Sequence, residues 1–336
     1  MEFGVFYQLP CAEGQTPAAR YDDTIAQARL ADELGFDAVW LAELHFNPRF
    51  SVMSSPLLVA SAIAQVTRRI KLGTAVNLVP LHHPIRLAEE TATLDLLSHG
   101  RAIFGIGRGS NPSHFTGYGI DIKEGREGFQ EAVDIILKAW TTDELDYEGK
   151  HYRIRGINVA PKPYQKPHPP VYVAANSEDT FGLVGGMGHN ILVAPMISTT
   201  QGARAGLEVY RSEMAGNGRQ PGRGRINLNV PTYVAESRKK ARAGFEPSIN
   251  NYLNTLRGTS LGRGAERAMS LSYDQISDEF AAIGEPEECV DKLHRLRETF
   301  QPQEIMCWFN TGGMVPHQEV ERSMRLFAEK VMPHFP

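Results

Sequence analysis

Apolar residues along this chain fall into short runs separated by longer stretches of mixed polarity. Eight runs read as strands: 2–7, 37–43, 70–79, 102–107, 170–175, 190–195, 226–235 and 304–310. Runs such as "DAVWLAE" (37–43) are apolar at successive positions, so both faces of the pleat are expected to be buried. Between the first four runs lie "YDDTIAQARLADELGF", "SPLLVASAIAQVTRR" and "PIRLAEETATLDLLSHG". Their apolar residues recur at three- and four-residue spacing, which predicts helices, and two of them end at glycine, Gly35 and Gly100. Strand then helix, repeated, means parallel strands joined by right-handed crossovers. Eight such units predict an α/β fold, a (β/α)8 TIM barrel, with residues 1–336 forming one domain.

Such a barrel needs only ~250 residues, so the rest is expected in two insertions. One follows strand 4, at about 145–168, and the other precedes strand 8, at about 245–285. The first begins with "LDYEGKHYRIR", which reads as a hairpin turning at Glu148–Gly149. The proline-rich "APKPYQKPHPP" after it is expected to be a rigid extended connector. The middle of the second, "RGTSLGRGAERAMSLSY", has no clear period. A functional lid over 255–275 is one reading of it, and a plain surface loop is the other. "GRQPGRGR" (218–225) is expected to be a basic turn.

Composition narrows the function classes. The chain is 42% apolar and 22% charged, as expected of a soluble globular protein. Its net charge of −4 argues against a dedicated nucleic-acid or membrane-surface protein. The basic turn lacks the interleaved aromatics that nucleic-acid binding uses. No apolar stretch reaches the length of a membrane span, and no basic-then-apolar leader is visible at the start. Cys11, Cys289 and Cys307 are far apart and show no CxxC spacing, so free thiols in a reducing compartment are expected. A cytoplasmic location follows from these features.

Candidate chemistry gathers at strand ends. In "AELHF", Glu43 and His45 stand where a buried strand stops, which in an α/β barrel is where catalytic groups project. A satisfied loop histidine with Glu43 as its ordinary partner explains the same stretch, and on this stretch alone that reading comes first. "FGIGRGSNPS" places Ser110 where a dinucleotide fingerprint needs its third glycine, so that motif is set aside. Arg108 in the same stretch suits a phosphate, and equally suits a neighbouring carboxylate. In "AANSEDT", Ser177 or Asp179 is expected to cap the next helix, and Ser177 with Thr180 can hold a phosphate at the helix start. His82 and His83 lack further ligands at useful spacing, so a loop role rather than a metal is expected. There is no GxSxG, which removes the hydrolase elbow.

Taken together, "GFDAVWLAELHF", "LGTAVNLVPLHHPIRLAEE", "LLSHGRAIFGIGRG", "PVYVAANS" and "SMRLFAEKVMPHF" resemble the bacterial luciferase-like flavin monooxygenases nearly end to end. The resemblance implies a barrel binding FMN at the C-terminal strand ends, with reduced FMN supplied as a dissociable cosubstrate by a separate reductase. It implies reaction with O2 through a C4a-(hydro)peroxyflavin that oxygenates a small organic substrate. By resemblance His45 matches the catalytic histidine and Glu43 a flavin-proximal acid. Arg108, Ser177 and Thr180 match phosphate-holding positions, and Ala75–Val76 matches a non-proline cis peptide beneath the flavin. Leu44, His45 and Asn176 stand where the luciferase α-subunit has two histidines and a glutamate. Gly107 replaces a cysteine there, and Asn310 an acid. Light emission is therefore not expected, and hydroxylation or Baeyer–Villiger oxygenation is. A deazaflavin-dependent oxidoreductase and a non-catalytic flavin-binding partner subunit are the alternatives. The resemblance implies a homodimer, and the apolar 55–66 stretch offers it an interface.

Overall fold

Parallel strands dominate the chain order: β1 (Glu2–Tyr7), β2 (Ala38–Leu41), β3 (Lys71–Thr74), β4 (Asn77–Leu78), β5 (Ala102–Gly107), β6 (Leu145–Glu148), β7 (Arg153–Ile157), β8 (Val171–Ala174), β9 (Asn190–Val193), β10 (Ile226–Val234), β11 (Ala282–Gly284) and β12 (Glu304–Trp308). The computed structural model describes residues 1–216, 224–257 and 268–336. Most of the basic 218–225 turn, and residues 258–267 at the centre of the expected lid, lie outside the described residues. Strands β1, β2, β3, β5, β8, β9, β10 and β12 pair in that order, and β12 pairs back with β1, which closes the barrel. All eight run parallel. The TIM barrel expected from the alternation is the fold observed.

Local chemistry explains the helices that follow. The helix Pro17–Leu34 starts with Thr16 accepting from Ala19 N–H and with Pro17 just inside, and ends at Gly35 with φ 90°. A residue with a side chain is strained in that left-handed conformation, which is why glycine ends the helix. Packing inside the barrel is equally specific. Trp40 of β2 is fully buried there, edge-on to Tyr172 at 5.3 Å. A Cβ at Gly4 or Gly73 would come within 2.8 or 2.5 Å of the Trp40 side chain, so the strands on either side of β2 supply glycine to make room for the indole.

Several expectations need correction. The run 70–79 is not one strand: β3 stops at Thr74, the Ala75–Val76 bond is cis, and β4 pairs only with β5. Thr74 Oγ1 donates to Gly105 O at 2.6 Å and accepts from Gly105 N–H and Asn77 Nδ2. Side-chain bonds thus replace ladder bonds at the break. The hairpin at β6 and β7 is present, with its turn at 149–152 rather than at Glu148–Gly149. In the connector after it, the Ala160–Pro161 and Lys166–Pro167 bonds are cis. The second insertion is more regular than its sequence suggests. A helix runs Arg238–Arg257, and a second, Tyr273–Glu279, starts with a reciprocal cap between Ser272 and Gln275. β11 then pairs with β10. The 304–310 run ends as a strand at Trp308, where the Asn310 amide bonds the Val315 backbone instead.

Candidate active site

Two side-chain clusters sit at the C-terminal ends of the barrel strands. The first starts where β2 stops. Glu43 and His45 are both buried. Glu43 Oε1 contacts His45 Nε2 at 2.9 Å and His82 Nε2 at 2.8 Å, while Oε2 accepts from Leu78 N–H at 2.8 Å. Glu43 thus joins the end of β2 to the loop between β4 and the following helix. His82 therefore is not a free loop histidine. It stands just before Pro84 opens that helix, on the same barrel end as His45, and this position was the available signal.

A short helix, Pro112–Tyr118, completes the cluster, started by Asn111 Oδ1 accepting from Ser113 N–H. His114 and Tyr118 lie four residues apart, hence on one helix face, and both rings pack edge-on to His45. Tyr118 OH lies 3.3 Å from His45 Nδ1, and His114 Nε2 accepts from His45 N–H at 3.3 Å. His45 Nε2 thus faces the Glu43 carboxylate and Nδ1 faces the Tyr118 hydroxyl. Sequence reasoning missed His114 and Tyr118, whose only signal is an N-cap helix directly after a barrel strand.

Charge follows from this geometry. Burial works to raise the Glu43 carboxyl, but the bonds from His45, His82 and Leu78 outweigh it and hold it below the usual carboxylate range. Burial works against charge on His82, yet the bond and charge of Glu43 raise it above an ordinary histidine. His114 is pushed down to about 4, by burial and then by the neighbouring His45, which agrees with its role as an acceptor.

The second cluster joins β5 to the loop after β8. Arg108 Nη2 donates to Asp179 Oδ2 at 3.0 Å and to Thr180 Oγ1 at 2.6 Å. Ser177 Oγ donates to Asp179 Oδ1 at 2.7 Å and meets Thr180 Oγ1 at 2.6 Å. Arg108, Ser177 and Thr180 are therefore brought together, and Arg108 pairs with the carboxylate of Asp179. Ser177 holds the N-cap position of the helix Glu178–Met187, but its hydroxyl makes no cap bond to the backbone. The expected cap is thus replaced by side-chain bonds. Asn176 points elsewhere, its Oδ1 accepting from Ala194 N–H at 2.9 Å just past β9. A cavity of about 340 Å³ beside Arg108 is lined also by Ile122, Lys123, Arg126 and Glu127, which adds two cations that sequence reasoning overlooked.

Between the clusters lies Ala75–Val76, packed against the barrel interior. A Cβ at Gly107 would stand 2.6 Å from Val76 Cγ2, so the Val76 side chain packs directly on the Gly107 backbone because position 107 carries no side chain. Among the described residues, no group of three or more His, Cys, Asp or Glu is placed to hold a metal ion, and no helix is long and apolar enough to cross a membrane.

Comparison with known proteins places this geometry in context. A family profile described as luciferase-like monooxygenase matches residues 1–301. The alkanal monooxygenase alpha chain of Photorhabdus laumondii is 28% identical over 356 residues, covering 99% of this chain and 97% of that one. The oxygenase component of the flavin-dependent trigonelline monooxygenase of Acinetobacter baylyi is 26% identical, covering 100% and 96%. The crystal structure of the monooxygenase RslO1 from Streptomyces bottropensis superposes with a TM-score of 0.91 at 28% identity, each chain covered in full. A family match across most of the chain, on a barrel of the same build, means that this chain belongs to the luciferase-like monooxygenase family.

Proposed function

We propose that this chain is the oxygenase component of a two-component system, which uses reduced FMN from a separate reductase and O2 to oxygenate a small organic molecule. The observation that carries the reading is one barrel end holding both an anion seat (Arg108, Ser177, Thr180) and a buried acid–imidazole cluster (Glu43, His45, His82). The residues fit a flavin mononucleotide. A fixed guanidinium, two hydroxyls and a helix start suit a terminal phosphate. Asn176 lies at the edge of this seat, and its side chain braces the end of β9. The Acinetobacter relative, the oxygenase component of a flavin-dependent trigonelline monooxygenase, supports the same assignment.

When bound, reduced FMN supplies the electrons that activate dioxygen. The chain's own residues bind and orient it and manage protons. Arg108, Ser177 and Thr180 hold the phosphate, with Lys123 and Arg126 on the rim. His45 gives or takes a proton at Nδ1, the nitrogen facing Tyr118, while Glu43 fixes the ring through Nε2. Burial of Glu43 and His45 keeps this exchange away from bulk water.

Two titrations test the reading. FMN should bind at least about tenfold more tightly than riboflavin, since a phosphate held by charge-assisted bonds contributes ~1.5–3 kcal/mol. Equal affinity for the two would remove the phosphate site. His45→Ala should leave FMN affinity unchanged and lower turnover by ~10²–10⁴, the range for one acid–base group. Normal turnover in that variant would return His45 to the loop role. We also propose a homodimer. The helix Pro56–Val66 exposes Leu58 at 72% and Val66 at 44%, and the neighbouring helix Pro84–Leu97 exposes Leu97 at 48%. Light scattering that gives the mass of a single 37.2 kDa chain would refute it.

A further inference from the structure

We propose that Asp179 is a built-in stand-in for the cofactor phosphate, occupying the anion seat until the flavin displaces it. The inference rests on the phosphate reading of that seat. Its two carboxylate oxygens are divided between two of the seat's three groups: Oδ2 takes Arg108 Nη2 at 3.0 Å, and Oδ1 takes Ser177 Oγ at 2.7 Å. A phosphate would need the same guanidinium and the same hydroxyl. Two anions on one fork repel each other, so carboxylate and phosphate exclude each other.

The mobility of the parts differs in the right direction. The Asp179 side chain is 72% exposed, so it can rotate into water with little loss of packing. Arg108 is only 27% exposed and Thr180 is buried, so the seat itself stays in place. Asp179 is also comfortable where it is. It lies in the first turn of a ten-residue helix, where a negative charge is favoured, and the Ser177 and Arg108 bonds hold its carboxyl below the usual range. The seat is thus satisfied without cofactor. A phosphate must outcompete a resident anion, which weakens its net binding and makes it exchangeable.

The opposite role is a positioning one, in which Asp179 merely aims Arg108. The two roles predict opposite signs. Equilibrium titration with oxidised FMN, with riboflavin, and with inorganic phosphate separates them without any turnover. If Asp179 is the stand-in, Asp179→Asn should bind FMN ~10-fold more tightly than the native chain, since one repelling charge is gone. Riboflavin affinity should not change, and inorganic phosphate titrated alone should also bind the neutral variant more tightly. Asp179→Glu, which keeps the charge, should resemble the native chain, and Asp179→Ser provides a second neutral variant if the asparagine chain folds poorly. FMN affinity that is unchanged or weaker in the neutral variants overturns the proposal. FMN and riboflavin binding alike to every variant overturns it differently, by removing the phosphate seat itself.

Discussion

One oxygen of Glu43 contacts both His45 and His82. Two histidines of the cluster then push stability in opposite directions with pH. His82 has a folded pKa raised above its unfolded value of 6.5. Its contribution is fully present below 6.5 and is lost as pH rises through the higher folded value. His114 is lowered to about 4. Its unfolded form takes up a proton first, so its stabilising effect is lost as pH falls from 6.5 towards 4. His82→Gln should therefore flatten the loss of stability above neutrality and leave the acid limb intact. His114→Gln should do the reverse. Urea midpoints at several pH values between about 5 and 9 read both limbs. A His82→Gln chain that declines on the alkaline side as steeply as the native one would show that Glu43 does not hold the His82 proton. The sequence pointed to Glu43 and His45 because they share one strand end. It marked His82 only by its place just before Pro84, because its bond to Glu43 spans 39 residues and is made only when two strand ends come together.

Glycines at the level of whole strands mark where the barrel tightens around its site. A Cβ at Gly105 would collide with the Thr74 carbonyl oxygen, a backbone atom that cannot swing aside. At Gly107 it would meet only the tip of the Val76 side chain. Gly105→Ala should thus cost about 3 kcal/mol or more, at the upper end of overpacking penalties, and Gly107→Ala about 1–2 kcal/mol. Thermal midpoints of the two variants give the ranking, and equal losses would mean that β3 and β5 can shift apart. The strand–helix order was legible because it is written in local spacing. Gly35 likewise announced its helix end, since a left-handed residue needs no distant partner. The break after Thr74 was illegible for the opposite reason: it depends on Thr74 bonding Gly105, 31 residues away. The cap formed by Ser272 and Gln275 was legible in principle, as serine followed three residues later by glutamine, but it was masked by the aperiodic stretch before it.

Across the molecule, the barrel has one end that carries the Glu43 and Arg108 clusters and one closed by packing. At the closed end the Trp40 indole donates to Glu304 Oε1 at 2.6 Å. Burial pushes the Glu304 carboxyl up to about 7, against the pull of that bond, with Glu2 adding repulsion and Arg225 and Lys71 partly offsetting it. A raised carboxyl stabilises the fold fully below its unfolded value of 4.5 and loses that contribution as pH climbs through 7. Glu304→Gln keeps an acceptor for Trp40 and carries no charge. It should therefore be more stable than the native chain by about 1–3 kcal/mol at pH 8, and close to it at pH 5. A variant less stable at pH 8 would mean that the ionised carboxylate is itself needed there. The alternation of strands and helices made the closed barrel legible, whereas the Trp40–Glu304 contact, 264 residues apart, was not. That plug also governs traffic. With Trp40 and Glu304 sealing the floor, whatever enters the barrel mouth must leave by the same doorway. If flavin and organic substrate both lie above Val76, the later arrival roofs over the earlier one. Turnover then becomes a queue, in which the spent flavin cannot be exchanged until the product above it has gone.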